Sequence, residues 1–202
     1  LPCSLCSLRV TNCYNIQFLD NLPNDLHSLE VQRCFFDDSS LQNLPRSLNK
    51  LIIIEYKNFD IPMDNFPQSL KYLEIKSKYA KHKIVLPQLL ETLILSIKYY
   101  GDQIQNLPDT LKYIKLESTH YNCPLDNLPK KLEKLIINSP CFNQSVLNLP
   151  NTLQKLTINS PSFQPIIKDF PPTLKQININ GLCISLCDIT FTELSKVLSI
   201  KH

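Results

Sequence analysis

The dipeptide Leu-Pro or Phe-Pro returns at Leu1, Leu22, Leu44, Phe66, Leu86, Leu107, Leu128, Leu149 and Phe170, at spacings of 21, 22, 22, 20, 21, 21, 21 and 21 residues. Each anchor opens the same pattern, Leu/Phe-Pro-x-x-Leu-x-x-Leu/Ile-x-Leu/Ile/Val, as in Leu107 through Leu116 and Leu149 through Ile158. A chain made of nine near-copies of one short unit does not assemble a core from unlike elements. Each unit must bury its apolar face against the next, and the result is an elongated stack.

Counting the anchor as position 1, positions 8 and 10 are apolar with one residue between them, which is strand periodicity. They read Leu8/Val10, Leu29/Val31, Leu51/Ile53, Leu73/Ile75, Leu93/Leu95, Ile114/Leu116, Leu135/Ile137, Leu156/Ile158 and Ile177/Ile179. Position 5 is Leu in all nine copies and points to the same core. Proline at position 2 precedes the strand, where its missing N–H removes no ladder bond. The prediction is a parallel sheet with neighbouring strands roughly 4.8 Å apart. Nine turns would then extend on the order of 40 Å.

A return path must follow each strand. Aromatic residues recur there at Tyr14, Phe35, Phe59, Tyr79, Tyr99 or Tyr100, Tyr121, Phe142 and Phe163, and are expected to close the core from the convex side. A turn of about 21 residues leaves little room for a convex helix, so extended or short 3-10 segments are expected. With 2 glycines against 15 prolines, the chain has few positions that favour a left-handed backbone and many that interrupt it.

Residues 1–181 therefore read as the solenoid and 182–202 as a C-terminal cap. Thr190-Phe191-Thr192-Glu193 reads as a capping box, with Ile189 and Leu194 as a hydrophobic staple, for a helix over about 190–200. Phe191, Leu194, Val197 and Leu198 fall on one face of it. At the other end Leu1 is already in register, which reads as a fragment or a processed form whose first strand is either an open edge or covered by preceding sequence. That edge could pair with a second copy.

Leu5 to Cys13 and Leu26 to Cys34 follow Leu-x-x-Leu-x-Leu-x-x-Cys, which resembles the leucine-rich-repeat consensus. The fold class implied is a leucine-rich-repeat solenoid, β-rich, in the α/β class. The Leu-Pro pattern followed by Phe59-Asp60-Ile61-Pro62 resembles the FNIP repeats of social amoebae and giant DNA viruses. Looser versions are Tyr121-Asn122-Cys123-Pro124, Phe142-Asn143-Gln144-Ser145 and Tyr14-Asn15-Ile16-Gln17. The resemblance covers about residues 1–180. FNIP repeats often follow an F-box, so the resemblance implies protein recognition, and substrate choice for a ubiquitin ligase if an F-box precedes the repeats. No F-box stands in this sequence.

On such a solenoid the outward strand residues, at positions 7, 9 and 11, form the concave face. The candidate partner-binding residues are Lys50, Ile52, Ile54, Tyr72, Glu74, Lys76, Ile94, Tyr113, Lys115, Glu117, Lys134, Ile136 and Lys155. Exposed apolar residues inside a charged rim suit a protein interface, and Tyr is a frequent anchor there. The alternative is that exposed Ile merely reflects strand propensity. The lysines with Tyr72 and Tyr113 would also suit nucleic acid, but Glu30, Glu74 and Glu117 on the same face would repel phosphates. A structural virion component is a third reading. The ladder Asn138, Asn159, Asn180 is expected to hydrogen-bond along the stack.

Catalytic chemistry is not indicated. There is no glycine-rich phosphate loop, and His27, His82, His120 and His202 occupy unrelated repeat positions. Cys3-x-x-Cys6 and the pair Cys183, Cys187 stand at opposite ends of the stack, too far apart to share zinc. No cofactor, metal, small-molecule substrate or membrane partner is expected. The eight cysteines read as reduced thiols in an intracellular protein, with Cys13 and Cys34 in one core column.

Overall fold

The computed structural model describes residues 1–14, 17–34, 41, 43–54, 58–59, 66–80, 83–146, 148–164 and 170–185. Its main sheet is built from β1 (Ser7–Thr11), β2 (Ser28–Gln32), β3 (Lys50–Ile54), β5 (Tyr72–Ser77), β7 (Thr92–Ile97), β8 (Tyr113–Glu117), β9 (Lys134–Asn138), β10 (Lys155–Asn159), β11 (Gln176–Ile179) and β12 (Leu182–Ser185), in that spatial order. All pairs from β1 through β11 are parallel. Every residue pairs with the same repeat position of the next turn: Ser7 with Ser28, Lys50 with Tyr72, Tyr72 with Thr92. Turn length varies between 20 and 22 residues without shifting this register. The difference is absorbed on the return path. This is a parallel β-solenoid, the architecture expected from the leucine-rich pattern.

The three leucine-type columns form the core. Positions 5, 8 and 10 are buried from the second turn to the ninth, and Leu5, Leu8 and Val10 of the first pack half-buried against the same core. A local bond sets the approach to each strand. The N–H at position 5 donates to the proline carbonyl at position 2 in all nine copies, at 3.0–3.2 Å, as in Leu5 to Pro2 and Leu132 to Pro129. Proline suits this place because its fixed φ and absent N–H cost nothing there.

Two hydroxyl ladders tie successive turns together. At position 4, Ser47, Ser69, Thr110, Thr152 and Thr173 donate to the carbonyl of the position-5 leucine one turn back, at 2.7–2.9 Å. At position 12, buried Ser118, Ser139 and Ser160 donate at 2.7–2.8 Å to the carbonyls of Tyr100, Tyr121 and Phe142, one turn back. These return-path carbonyls have no strand ladder to satisfy them, so the serine hydroxyls take that role.

The expected aromatic column is in fact two columns, one residue apart. At position 15, Tyr100, Tyr121, Phe142 and Phe163 are buried and stack in sequence with centroids 5.8–6.4 Å apart. At position 14, Tyr79, Tyr99 and His120 form a separate outer stack, 4.9 and 5.4 Å between rings. Tyr14 is 83% exposed and Tyr79 and Tyr99 are each 37% exposed, so these three do not close the core. Of the pair left open in the sequence, Tyr100 faces inward. Phe35 lies outside the described residues, as do Asp60, Ile61 and Pro62 of the FNIP-like tetrapeptide.

The return path is otherwise irregular, as expected of short turns. It holds a 3-10 segment at Gln17–Asn21 and a small parallel pair, β4 (Asn58–Phe59) with β6 (Tyr79–Ala80). No helix among the described residues is long and apolar enough to cross a membrane. The expected helix over 190–200 lies outside the described residues. Residues 182–185 are a strand: β12 turns back on β11, antiparallel, with Ile179 opposite Leu182. The two-residue turn is Asn180-Gly181, with φ of 51° and 85°. Two positive φ values in a two-residue hairpin are the type I′ arrangement, and Asn-Gly is its favoured sequence. The hairpin ends the parallel series and places a different strand over the last turn.

Removing a buried ladder hydroxyl and removing a core ring should differ measurably. Phe142→Ala should destabilise by about 3–5 kcal/mol through its cavity. Ser160→Ala leaves the Phe142 carbonyl without its donor and should destabilise by about 1–3 kcal/mol. Urea denaturation checks both. An effect of Ser160→Ala no larger than that of the exposed Thr173→Ala would contradict the assigned role of the position-12 ladder.

Candidate functional site

Alternation along each strand sends positions 7, 9 and 11 outward, and the unshifted register lines them up in three rows across the sheet. Row 7 runs Lys50, Tyr72, Thr92, Tyr113, Lys134, Lys155. Row 9 runs Ile52, Glu74, Ile94, Lys115, Ile136, Thr157. Row 11 runs Ile54, Lys76, Ser96, Glu117, Asn138, Asn159. All thirteen candidate residues from the sequence thus share one face. Lys50 and Glu117 are exposed and the other eleven are half-buried. Thr157, expected outward, is buried at 8% exposure. Its short side chain sits between Ile136 and Asn178 on the flanking strands, which stand higher.

The charges on this face are arranged in pairs. Arg9 meets Glu30 at 2.8 Å, Lys76 meets Glu74 at 2.8 Å, and Lys115 meets Glu117 at 2.9 Å. The Tyr72 hydroxyl donates to Glu74 at 2.7 Å and the Ser96 hydroxyl to Glu117 at 3.0 Å. Burial alone would raise the Glu74 carboxyl, but the hydrogen bonds from Lys76 and Tyr72 outweigh it and hold the group below its ordinary value. Glu117 is lowered by Lys115, against partial burial, with help from Ser96. Glu30 is lowered by its bond from Arg9. Burial, then the bond to Glu74, raises the Tyr72 phenol, which stays neutral.

Two lysines rest against tyrosines on the adjacent strand. Lys50 Nζ is 5.1 Å from the Tyr72 ring centroid, and Lys134 Nζ is 4.7 Å from that of Tyr113. Such contacts hold the ammonium without neutralising it. The asparagine ladder is only partly formed. Asn159 Nδ2 donates to Asn138 Oδ1 at 2.8 Å. Asn180 instead bonds the Ser160 backbone in both directions, at 2.7 and 2.9 Å, because its left-handed backbone starts the hairpin. Beyond row 11 a groove of about 480 Å³ runs along the strand ends, lined by Ser96, Lys98, Glu117, Thr119, Asn138 and Asn159 among others. Sequence analysis did not register it.

Among the described residues, no group of three His, Cys, Asp or Glu side chains converges to hold a metal. Cys34 is buried and Cys13 half-buried in adjacent turns, and the Cys13 N–H donates to Cys34 Sγ at 3.4 Å.

No protein-family model and no curated protein matches the chain. Among solved structures, it is similar to CroV588, described as a novel circular LRR protein, at 22% identity and a TM-score of 0.49 over 89% of this chain. It is also similar to YopM from Yersinia enterocolitica WA-314, at 18% identity and a TM-score of 0.43 over 78% of this chain. The chain spans 34% of the first and 47% of the second. The FNIP resemblance therefore rests on the motif residues themselves.

The lowered glutamates set the acid dependence of stability. A carboxyl whose folded value lies below its unfolded value stabilises the fold above the unfolded value, about pH 4.3. That contribution fades as pH falls through the folded value. Urea midpoints should hold steady from neutrality to about pH 5 and then decline. A Glu74→Gln, Glu117→Gln variant should decline less steeply. An identical decline in variant and parent would contradict the pairing.

Proposed function

We propose that the chain is a non-catalytic protein-binding module and that a partner docks on the outward face of the main sheet, the concave face in the sequence reading. One observation carries this reading. The unshifted register gathers Ile52, Ile94, Ile136, Tyr72 and Tyr113 into adjoining rows, half-buried, with the carboxylates among them, Glu74 and Glu117, already matched by Lys76 and Lys115. A partner covering this patch removes apolar area from water without leaving Glu74 or Glu117 buried and unpaired. Matched ion pairs at the rim contribute specificity more than affinity. The rows lie on a rigid ladder, so little side-chain or backbone order must be gained on binding.

The FNIP-like motif adds a second element to the reading. As in that family, the module would select a protein for a larger assembly, a ubiquitin ligase if an F-box accompanies it. We place it inside the cell, in keeping with the free thiols of Cys3, Cys6, Cys123, Cys141 and Cys183.

A pull-down from lysate, read by mass spectrometry, tests the surface. The baits are the chain and an Ile52→Asp, Tyr72→Ala, Ile136→Asp variant with a comparable melting temperature. Specific proteins recovered by the chain should be lost by the variant. Equal recovery by both baits would move the binding surface elsewhere on the coil.

A further inference from the structure

Rows 7, 9 and 11 carry more cations than their own carboxylates can match. Among the described residues the three carboxylates, Glu30, Glu74 and Glu117, are each matched by one cation, Arg9, Lys76 and Lys115. Lys50, Lys134 and Lys155 remain, with no carboxylate within 4.0 Å, and all three stand in row 7. Lys134 and Lys155 are directly opposite each other on β9 and β10. Like charges in that relation destabilise a sheet unless something between them is negative. The Tyr113 hydroxyl next to Lys134 has no hydrogen-bond partner among the described residues and is a further donor on the same strip.

We propose that this strip is a seat for carboxylates, and that the partner is a protein presenting an acidic, leucine-type segment in extended form. The proposal rests on the protein-binding reading above. The spacing of the face supports the form of the segment. Ile52, Ile94 and Ile136 recur on every second strand, so they stand about 9.6 Å apart at the usual strand spacing. A polyproline-II-like chain brings every third side chain to one face at about 9.3 Å. A segment with an apolar residue at every third place could set those residues on the isoleucines and its acidic residues over Lys50 at one end and the Lys134–Lys155 pair at the other. The strip from β3 to β10 is about 24 Å long, which roughly seven or eight extended residues cover. A second copy of this chain does not fit face to face, because both faces carry the same unmatched lysines. Nucleic acid fits less well: its phosphates follow at every nucleotide and would meet Glu74 and Glu117, whereas a peptide can place its apolar residues there and its acidic ones over the lysines.

Fluorescence anisotropy with three labelled probes tests this: a repeating Glu-Glu-Leu peptide, a repeating Lys-Lys-Leu peptide and single-stranded oligothymidylate. The proteins are the chain and a Lys134→Glu, Lys155→Glu variant, substituted at outward positions of β9 and β10, whose melting temperature is checked. The chain should bind the acidic peptide, more weakly as salt rises. The variant should bind it about tenfold less tightly or worse. Failure of the acidic peptide to bind, or binding unaffected by the double substitution, overturns the proposal. So does tighter binding of oligothymidylate or of the basic peptide. The same variant separates this proposal from the reading beneath it. If lysate proteins lost by the isoleucine variant are retained by the lysine variant, the face binds protein but not through acidic groups.

Discussion

The fold depends on one constraint: a turn of about 21 residues cannot bury its own leucines. Positions 5, 8 and 10 of one turn leave water only when the same positions of the next turn cover them. Burial of identical columns also dictates register. A slip of one residue would turn every core side chain outward, so the strands pair position for position even where a turn is shorter or longer.

The functional face follows from the same constraint. Once the inward positions are locked, the outward positions align in rows whether or not their chemistry is compatible. Row 9 alternates isoleucine with Glu74 and Lys115, which is tolerable because each charge reaches a partner two residues on in its own strand, Lys76 or Glu117. Row 7 is not resolved in this way: Lys134 and Lys155 are neighbours with no carboxylate between them. A stack that repeats one backbone must fit its side-chain charges to the geometry, and the places where it fails to do so mark surface that something else can complete.

Much of this was legible in the sequence, and the reason is periodicity. The columns at positions 5, 8 and 10 and the outward rows follow from counting along the repeat, because a strand has only two faces. The return path has no such simple period. Tyr99 and Tyr100 stand side by side in the sequence, yet one is in an outer stack and the other in the core. No two-state alternation distinguishes them; the residue that turns inward, Tyr100, is the one whose carbonyl accepts from the buried Ser118 hydroxyl. Those serines, and the Ser and Thr residues at position 4, recur at the repeat spacing and could have been recognised as ladders. Asn180-Gly181 could likewise have been recognised as a hairpin. Thr157 is a different case, since its burial depends on the height of its neighbours rather than on its own direction.

The central claim is that one hydrogen-bonded strand recurs at the repeat spacing, in register, along the whole stack, and so holds the outward rows as a single rigid face. Amide hydrogen exchange, resolved by peptide mass spectrometry on the native chain, tests it most directly. Slow exchange should recur in short blocks about 21 residues apart, at Lys50–Ile54, Tyr72–Ser77, Thr92–Ile97, Tyr113–Glu117, Lys134–Asn138 and Lys155–Asn159, with faster exchange between them. Protection that ignored this period, or that vanished across the central strands carrying Ile94 and Tyr113, would contradict the account.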